Sequence, residues 1–507
     1  MKQIQSKPIK ALVILFSSLL QTGKNPYLLK KVGKTNKPCF TSCLLPPAFC
    51  LLTLSIIPTA GCTNSNSFAQ NPAKPAPQEI IQAGEVRPLP GKLDNIPVFN
   101  SNSPEWMKTE GILLSTFPPQ GKKTTAAHLN FPFQGRFDLF AHHYTHTPKD
   151  SQTYYLGIII HNPNKQSVTL DVLQGASYLM QDAPFTTLAP YLENNDGKVF
   201  SGPGNRAVAD VLRGVRQADF PAKLVIPGGQ SRMLLNHPMP VKGLEKLVNG
   251  RSSFFRLRSS GKVYVASLAM FAKKNADNSH RPPTLAEWQA SLENGGFVTP
   301  RDKTPTPPDT KGGSLIYGRV AGVSQGSQWK ATLTDHPKAQ ILTIPQLNKA
   351  ISYPLASLRG GRLGTEQNQT AKMLVRYPDT AYEAHGNYGI EYNLSLPLSN
   401  NTQKPQTVTV TLETPLKEDK LSKGGLKFRK PSLDFPFFRG TVRVNYIDDA
   451  GKQQKRFVHL WHRTGQVLDP LVKVVLPPGG KRSVQLDVIY PPDSTPPQVV
   501  TVRTVEK

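Results

Sequence analysis

The chain has 507 residues, with 61 Lys and Arg against 34 Asp and Glu and a formal net charge of +27. Beyond residue 69 basic and acidic residues are interspersed along the chain, which excludes a nucleic-acid-binding tail. Its 47 Pro and 38 Gly punctuate short alternating apolar runs, the pattern of a strand-and-turn protein with few helices.

Residues 1–69 read as an export leader. A lysine-rich stretch from Lys30 to Lys37 precedes an apolar run from Cys39 to Ile57, and Ser67-Phe68-Ala69 supplies a small-x-small cleavage site before Gln70. A shorter apolar run, Ala11 to Leu20, lies upstream. Neither run is a comfortable membrane span, which needs about 20 apolar residues. The first is too short, and the second carries Pro46-Pro47. Thr59-Ala60-Gly61-Cys62 resembles a bacterial lipoprotein box, departing from it at Thr59, so lipidation at Cys62 stands as the alternative to cleavage after Ala69, with an uncut anchor as the third. All four cysteines, Cys39, Cys43, Cys50 and Cys62, fall inside the leader. Cleavage after Ala69 leaves 438 of the 507 residues, removes eight lysines and no acid, and lowers the net charge from +27 to +19. A chain so processed has no thiol chemistry, and its expected place is the periplasm or cell envelope, with membrane contact only through the leader or a lipid at Cys62.

Residues 70–115 read as an extended spacer and lead-in, beginning with Pro72-Ala73-Lys74-Pro75-Ala76-Pro77. Two β-rich halves follow, at 116–300 and 316–507, joined by a Pro-rich linker at 301–315 that contains Thr304-Pro305-Thr306-Pro307-Pro308. The halves repeat one pattern. Tyr155 to Ile160, an Asn-rich turn at His161-Asn162-Pro163-Asn164, and Ser167 to Val172 are matched by Gly389 to Leu396, Ser399-Asn400-Asn401-Thr402, and Gln406 to Leu412. Strict alternation in the last run predicts Val408, Val410 and Leu412 facing a core and Thr407, Thr409 and Thr411 facing water. A second hairpin recurs, at Ile226-Pro227-Gly228-Gly229 and at Leu476-Pro477-Pro478-Gly479-Gly480. The fold class is therefore all-β: two related antiparallel β-sandwich halves with a few short helices. A capping box at Thr284-Leu285-Ala286-Glu287 opens a helix from Leu285 to Glu293, and Asn205 to Leu212 is a second; both are expected at sandwich edges.

Three stretches carry a resemblance to a family of exported cyanobacterial proteins of unknown function: Glu85 to Gly91, Ile96 to Pro104, and Ala384-His385-Gly386-Asn387-Tyr388-Gly389. The resemblance runs from about Glu85 to the C-terminus. It implies an exported location in a cyanobacterium-like envelope and no particular chemistry.

No phosphate loop or dinucleotide fingerprint occurs, and no catalytic, cofactor-binding or metal-ligating residue is assigned. Asp138, His142, His143 and His146, with His128 upstream, form the densest histidine cluster. On a strand His142 and His146 share a face with Tyr144 while His143 points away, a poor spacing for a metal. Glu110, Asp138, Asp379 and Glu383 are the available carboxylates for glycoside hydrolysis, and Asp379 to His385 is the most site-like of these stretches, with Tyr382 and Tyr388 able to stack on sugars. Gly360-Gly361-Arg362 reads as a turn, and Gly202-Pro203-Gly204-Asn205-Arg206 as a helix start where an anion could sit. Two basic stretches, Arg251 to Lys274 and Lys417 to Lys430, read as solvated faces, with Arg256 and Arg258 on one side of a strand. The expected function is a non-catalytic envelope protein, a binding or structural module for an anionic envelope polysaccharide or glycolipid. The alternatives are a polysaccharide-active enzyme using a carboxylate pair and a periplasmic metal-binding protein.

Overall fold

The computed structural model describes residues 76–147 and 152–506, apart from the side chains of His146, Pro436 and Phe437. The leader, with its four cysteines and the Ala69 cleavage site, lies outside the described residues. Among the described residues strands dominate, joined by two α-helices and one short 3-10 turn. Among the described residues no helix is long and apolar enough to cross a membrane.

The repeated pattern folds as a repeated five-strand unit. In the first half the unit is Tyr154–His161, Val168–Leu179, Lys223–Ile226, Ser231–Met239 and Val248–Phe271. In the second it is Glu391–Ser399, Gln406–Glu413, Val472–Leu476, Lys481–Ile489 and Gln498–Val505. Within each unit the first strand pairs antiparallel with the fourth, and the second with the third and fifth. The register is the same. His161 faces Ser231 and Val168 faces Ile226, as Ser399 faces Lys481 and Gln406 faces Leu476.

A buried asparagine makes the register repeat. The amide of Asn162 donates to the carbonyls of Gln166 (2.8 Å) and Ile226 (2.9 Å), and its Oδ1 accepts from the Asn164 N–H (2.9 Å). Asn400 does the same with Lys404 (2.9 Å), Leu476 (2.9 Å) and the Thr402 N–H (2.9 Å). Each side chain therefore ties its own turn to the Pro-Gly-Gly hairpin across the sheet, satisfying backbone groups that burial would otherwise orphan.

The halves also exchange strands. Ala321–Gln325 follows the Pro-rich segment in sequence yet pairs with Pro97–Ser101, in the sheet of the first half. Gln78–Val86, at the start of the described chain, runs parallel to Ala350–Leu355, and Tyr191–Glu193 pairs with Gln453–Arg463. Of these additions the pairing of Gln78–Val86 is parallel; with Pro97–Ser101, which runs parallel to Phe133–His146, it makes the sheets mixed around antiparallel units. The 24-residue strand Val248–Phe271 joins both layers of the first half, pairing with Phe133–His146 through its N-terminal part and with Tyr154–His161 beyond an irregularity between Ser259 and Val263.

Two large apolar clusters result, one holding Phe137, Leu156, Ile158 and Phe255, the other Leu394, Val408, Leu460 and Leu486. Val408, Val410 and Leu412 face the core as their alternation predicts, but Thr407, Thr409 and Thr411 are buried too. Arg503, opposite Thr409, reaches along that face to Glu413 (3.0 Å). Helix α1 (Pro203–Leu212) is not at an edge. Ala207, Val208, Val211 and Leu212 pack with Phe140 and Phe254 of the first half and Ile489 of the second, so the helix fills the seam. Helix α2 (Leu285–Asn294) opens on the expected capping box, the Glu287 N–H donating to Thr284 Oγ1 (3.3 Å) and the Thr284 N–H to Glu287 Oε2 (2.7 Å). It docks through the fully buried Trp288.

Candidate functional site

A cleft of about 230 Å³ opens between the Pro-rich segment and the loop that joins strands Ala350–Leu355 and Ala371–Arg376. Pro308, Ile316 and Tyr317 form the first wall, and Arg359 and Arg362 the second. Asn368, Thr370, Tyr382, Glu383 and His385 complete it.

The loop is held in a shape that ordinary sequences avoid. Gly360 and Gly364, and also Leu363 and Glu366, take positive φ, a region costly for residues with a Cβ. Asp419 Oδ1 accepts from the N–H groups of Gly360 (2.8 Å) and Arg362 (3.2 Å). From below, the buried amide of Gln369 donates to Pro354 O (2.8 Å) and accepts from the Ala356 N–H (2.8 Å). The two arginines are thus presented by a pinned backbone.

Their chemistry differs. Arg359 donates to the carbonyls of Pro308 (3.2 Å) and Thr310 (2.9 Å), so it ties the opposite wall while meeting neutral acceptors. Arg362 meets Glu366 on the outside (3.2 Å), and its Nε is buried with no acceptor. A buried donor without a partner is costly. Glu383 is oriented by Thr370 Oγ1 (2.6 Å) and Asn368 Nδ2 (3.1 Å). His385 stacks on Tyr317 (centroids 4.9 Å apart), and desolvation holds it down to about 4, so it is neutral at pH 7. The Tyr317 phenol is pushed up to about 12, again by desolvation, and donates to Arg359 O (2.7 Å). The guanidinium of Arg376 covers the Tyr382 ring at 3.8 Å.

Of the four carboxylates singled out in the sequence, only Glu383 lines this cleft. Glu110 pairs with Lys273 (3.0 Å), Asp138 is buried against Arg136 (2.5 Å), and Asp379 pairs with Arg301 (2.8 Å). Tyr382 lines the cleft, whereas Tyr388 turns inward, stacked on Tyr490 and bonded to Ser494 O (3.0 Å).

The histidine cluster divides as its strand alternation predicts. His143 Nδ1 donates to Pro104 O (2.8 Å) and its Nε2 meets Ser101 Oγ (2.9 Å). His142 points the other way, its Nδ1 meeting Ser252 Oγ (2.7 Å) and its Nε2 lying 3.8 Å from Glu105 and 3.7 Å from Asp493. The side chain of His146 lies outside the described residues. His128 bonds Ser115 (2.9 Å). Among the described residues no three His, Cys, Asp or Glu side chains converge as metal ligands.

Arg256 is tied to Glu391, leaving Arg258 as the exposed member of that strand face. In the other basic stretch, Lys423 and Lys427 pair with Glu79 and Glu418 (both 2.7 Å), and Lys417 donates to Tyr317 (3.2 Å). The start of α1 is buried, with Gly202 against Phe185 and Gly204 against Pro492. Arg206 lies between the rings of Tyr178 and Phe200.

Residues 84–504 match the model of a family described as a protein of unknown function, DUF3370. No curated protein matches. Among solved structures, Lac15 from a marine microbial metagenome aligns at 10% identity over 80% of this chain and 62% of its own, with a TM-score of 0.10. A similarity that low carries no argument.

Proposed function

This chain belongs to the DUF3370 family, and we propose that it is an exported, non-catalytic protein of a cyanobacterium-like cell envelope that binds an anionic glycan in the Arg359–Arg362 cleft. The observation that carries the reading is the pair of guanidiniums, Arg359 and Arg362, lining one wall of the cleft on a loop that Asp419 pins, with Arg359 meeting neutral carbonyls there. A sulfate or carboxylate group pairs with a guanidinium through charge-assisted hydrogen bonds. Thr370, Asn368 and Glu383 offer the mixed donors and acceptors that sugar hydroxyls need, and Tyr382 offers a ring. The positive net charge, +19 once the leader is removed, adds a long-range attraction for polyanions. Binding is favoured over hydrolysis because hydrolysis requires two carboxylates at one bond, and Glu383 is the one acid among the residues lining this cleft.

The test is retention on immobilised dextran sulfate and on polygalacturonate, with neutral dextran as control. Salt-sensitive retention on the charged supports, weakened about tenfold by Arg362→Met, is the expected result. Equal retention by the variant removes the cleft from the reading. Mass analysis of the mature N-terminus separates cleavage after Ala69 from lipidation at Cys62.

A further inference from the structure

Two side chains of opposite charge, Arg359 and Glu383, line the cleft. Each is half-buried, and each is oriented by neutral groups alone. Arg359 donates from Nη1 and Nη2 to the carbonyls of Pro308 and Thr310. Glu383 Oε2 accepts from Thr370 Oγ1 (2.6 Å) and Asn368 Nδ2 (3.1 Å), while its Oε1 is met at 3.4 Å by the same amide. Among the described residues neither side chain makes an ion pair, with the other or with a third group.

The neighbouring charges are engaged elsewhere. Arg362 pairs with Glu366 (3.2 Å), and Asp419 is taken by the backbone N–H groups of Gly360 and Arg362. Arg376 covers the Tyr382 ring and donates to the carbonyls of Tyr377, Pro378 and Thr380. Lys417 sits over the Tyr317 ring (5.0 Å) and donates to its hydroxyl, and Arg319 is buried against Glu105. Asp309, between the two carbonyls that hold Arg359, is exposed and makes no ion pair with it. Lys372 stands opposite Glu383 across a strand pair, also exposed and also without an ion pair to it. The His385 imidazole is neutral at pH 7. One cation and one anion are thus left uncompensated in a cleft of about 230 Å³. A wholly anionic ligand would satisfy Arg359 and be repelled at Glu383, whereas a ligand bearing both signs satisfies both.

We propose that the cleft takes a zwitterionic part of a glycan, an amino sugar whose free ammonium group meets Glu383 while a neighbouring sulfate or carboxylate meets Arg359. The assignment rests on the glycan reading and narrows it: the anionic polymer is one that carries unacetylated amines. An ammonium brings three donors and a full charge to the open Oε1 of Glu383. An acetamido group keeps one N–H and no charge, so it exchanges an ion pair for a neutral contact. Glu383 therefore selects against wholly anionic chains, which the basic surface alone would attract.

The probes are heparin stripped of its N-sulfates, which bears free amines, and the same polymer after N-acetylation. Both keep their uronates and O-sulfates. At about pH 6.5, below the usual amine range of about 7.7 to 8, the free amines are ammonium. The native chain should hold the free-amine polymer about tenfold more tightly. Overall charge predicts the reverse, because the acetylated polymer is the more anionic and the protein is basic. Glu383→Gln keeps a carbonyl for Thr370 and Asn368 to donate to, and should erase the preference while leaving the acetylated polymer bound. If that variant does not fold, the two polymers on the native chain decide alone. Equal retention of both by the native chain overturns the proposal and leaves the glycan reading standing. A preference that survives Glu383→Gln overturns it too. If neither polymer is retained, the glycan reading falls, and calorimetry with O-sulfated glucosamine and its N-acetyl derivative decides the charge pairing. Binding of the free amine alone upholds the zwitterion site, and binding of neither, or of both equally, overturns it.

Discussion

Arg256 of the first half and Glu391 of the second form an ion pair across the seam, their side chains 18% and 7% exposed. Glu391 is held in turn by Asn393 Nδ2 (2.9 Å), which also meets Asp487 (2.6 Å), and Asp487 accepts from Arg443 Nε (2.9 Å). A polar chain therefore runs through the joint that α1 fills with apolar side chains. Removing one partner leaves a charge out of water, which costs about 3 kcal/mol, whereas replacing both with apolar groups is far milder. Glu391→Ala should lower stability by about that amount, and Arg256→Met combined with Glu391→Met should recover most of it. Urea midpoints of the three chains check this, and a double variant as unstable as the single would refute it.

The two buried asparagines make a matched pair of experiments. Asn162→Ala takes the side-chain partner from two carbonyls and a turn N–H, and Asn400→Ala from three carbonyls and a turn N–H, at about 2 kcal/mol apiece. Because the register is the same, the losses should be similar, and because the halves share strands, both variants should unfold in one transition. Calorimetric scans showing two separated transitions in either variant would contradict the strand exchange.

The repeated unit is legible in the sequence because it depends on local signals: alternation, an Asn-rich turn and a Pro-Gly-Gly hairpin. The capping box of α2 is local in the same way. What local pattern cannot show is which strands cross between halves, since the pairing of Ala321–Gln325 with Pro97–Ser101 joins segments over 200 residues apart. The burial of α1 fails to register for the same reason. At the cleft, Tyr382, Glu383 and His385 stand in a stretch that the sequence marks, while Gly360-Gly361-Arg362 reads only as a turn. It is a turn, and the missed information is the Pro-rich segment that lies opposite. Glu105 gives no sequence signal, because its importance comes from distant partners at Arg319 and Asp493.

Trp288 fixes α2 by filling a space that only glycine leaves. A Cβ on Gly157 would stand 2.7 Å from the indole, closer than side chains tolerate. Gly157→Ala should therefore cost about 2 kcal/mol through overpacking. The same substitution in a Trp288→Leu background should cost much less, since the smaller side chain frees the site. A double-mutant cycle with no coupling between the two positions would show that α2 docks by other contacts.

Buried histidines should govern the acid limb of stability. Desolvation holds His143 and His462 down to about 3, and His128 and His459 to about 4. A histidine whose folded pKa is depressed binds fewer protons folded than unfolded, so its contribution is full above about 6.5 and is lost as pH falls below it. Glu105, raised to about 7, acts oppositely: its contribution is present below the unfolded value of about 4.3 and is lost as pH rises through 7. Between pH 7 and 5 these four histidines, together with His237 and His385, which desolvation also holds down to about 4, outweigh one glutamate, and stability should fall steeply, each histidine accounting for about 2 kcal/mol. His143 tests the argument most directly. Its Nδ1–H is committed to the Pro104 carbonyl, which can only accept, and its Nε2 takes the Ser101 hydroxyl, so the neutral ring already satisfies both neighbours. Gln can make both contacts without titrating. His143→Gln should flatten the slope of stability against pH between 7 and 5 by about one proton, while leaving stability at pH 8 within about 1 kcal/mol of the native chain. Denaturation midpoints over that range supply the slope, and an unchanged slope would mean that His143 does not titrate on unfolding.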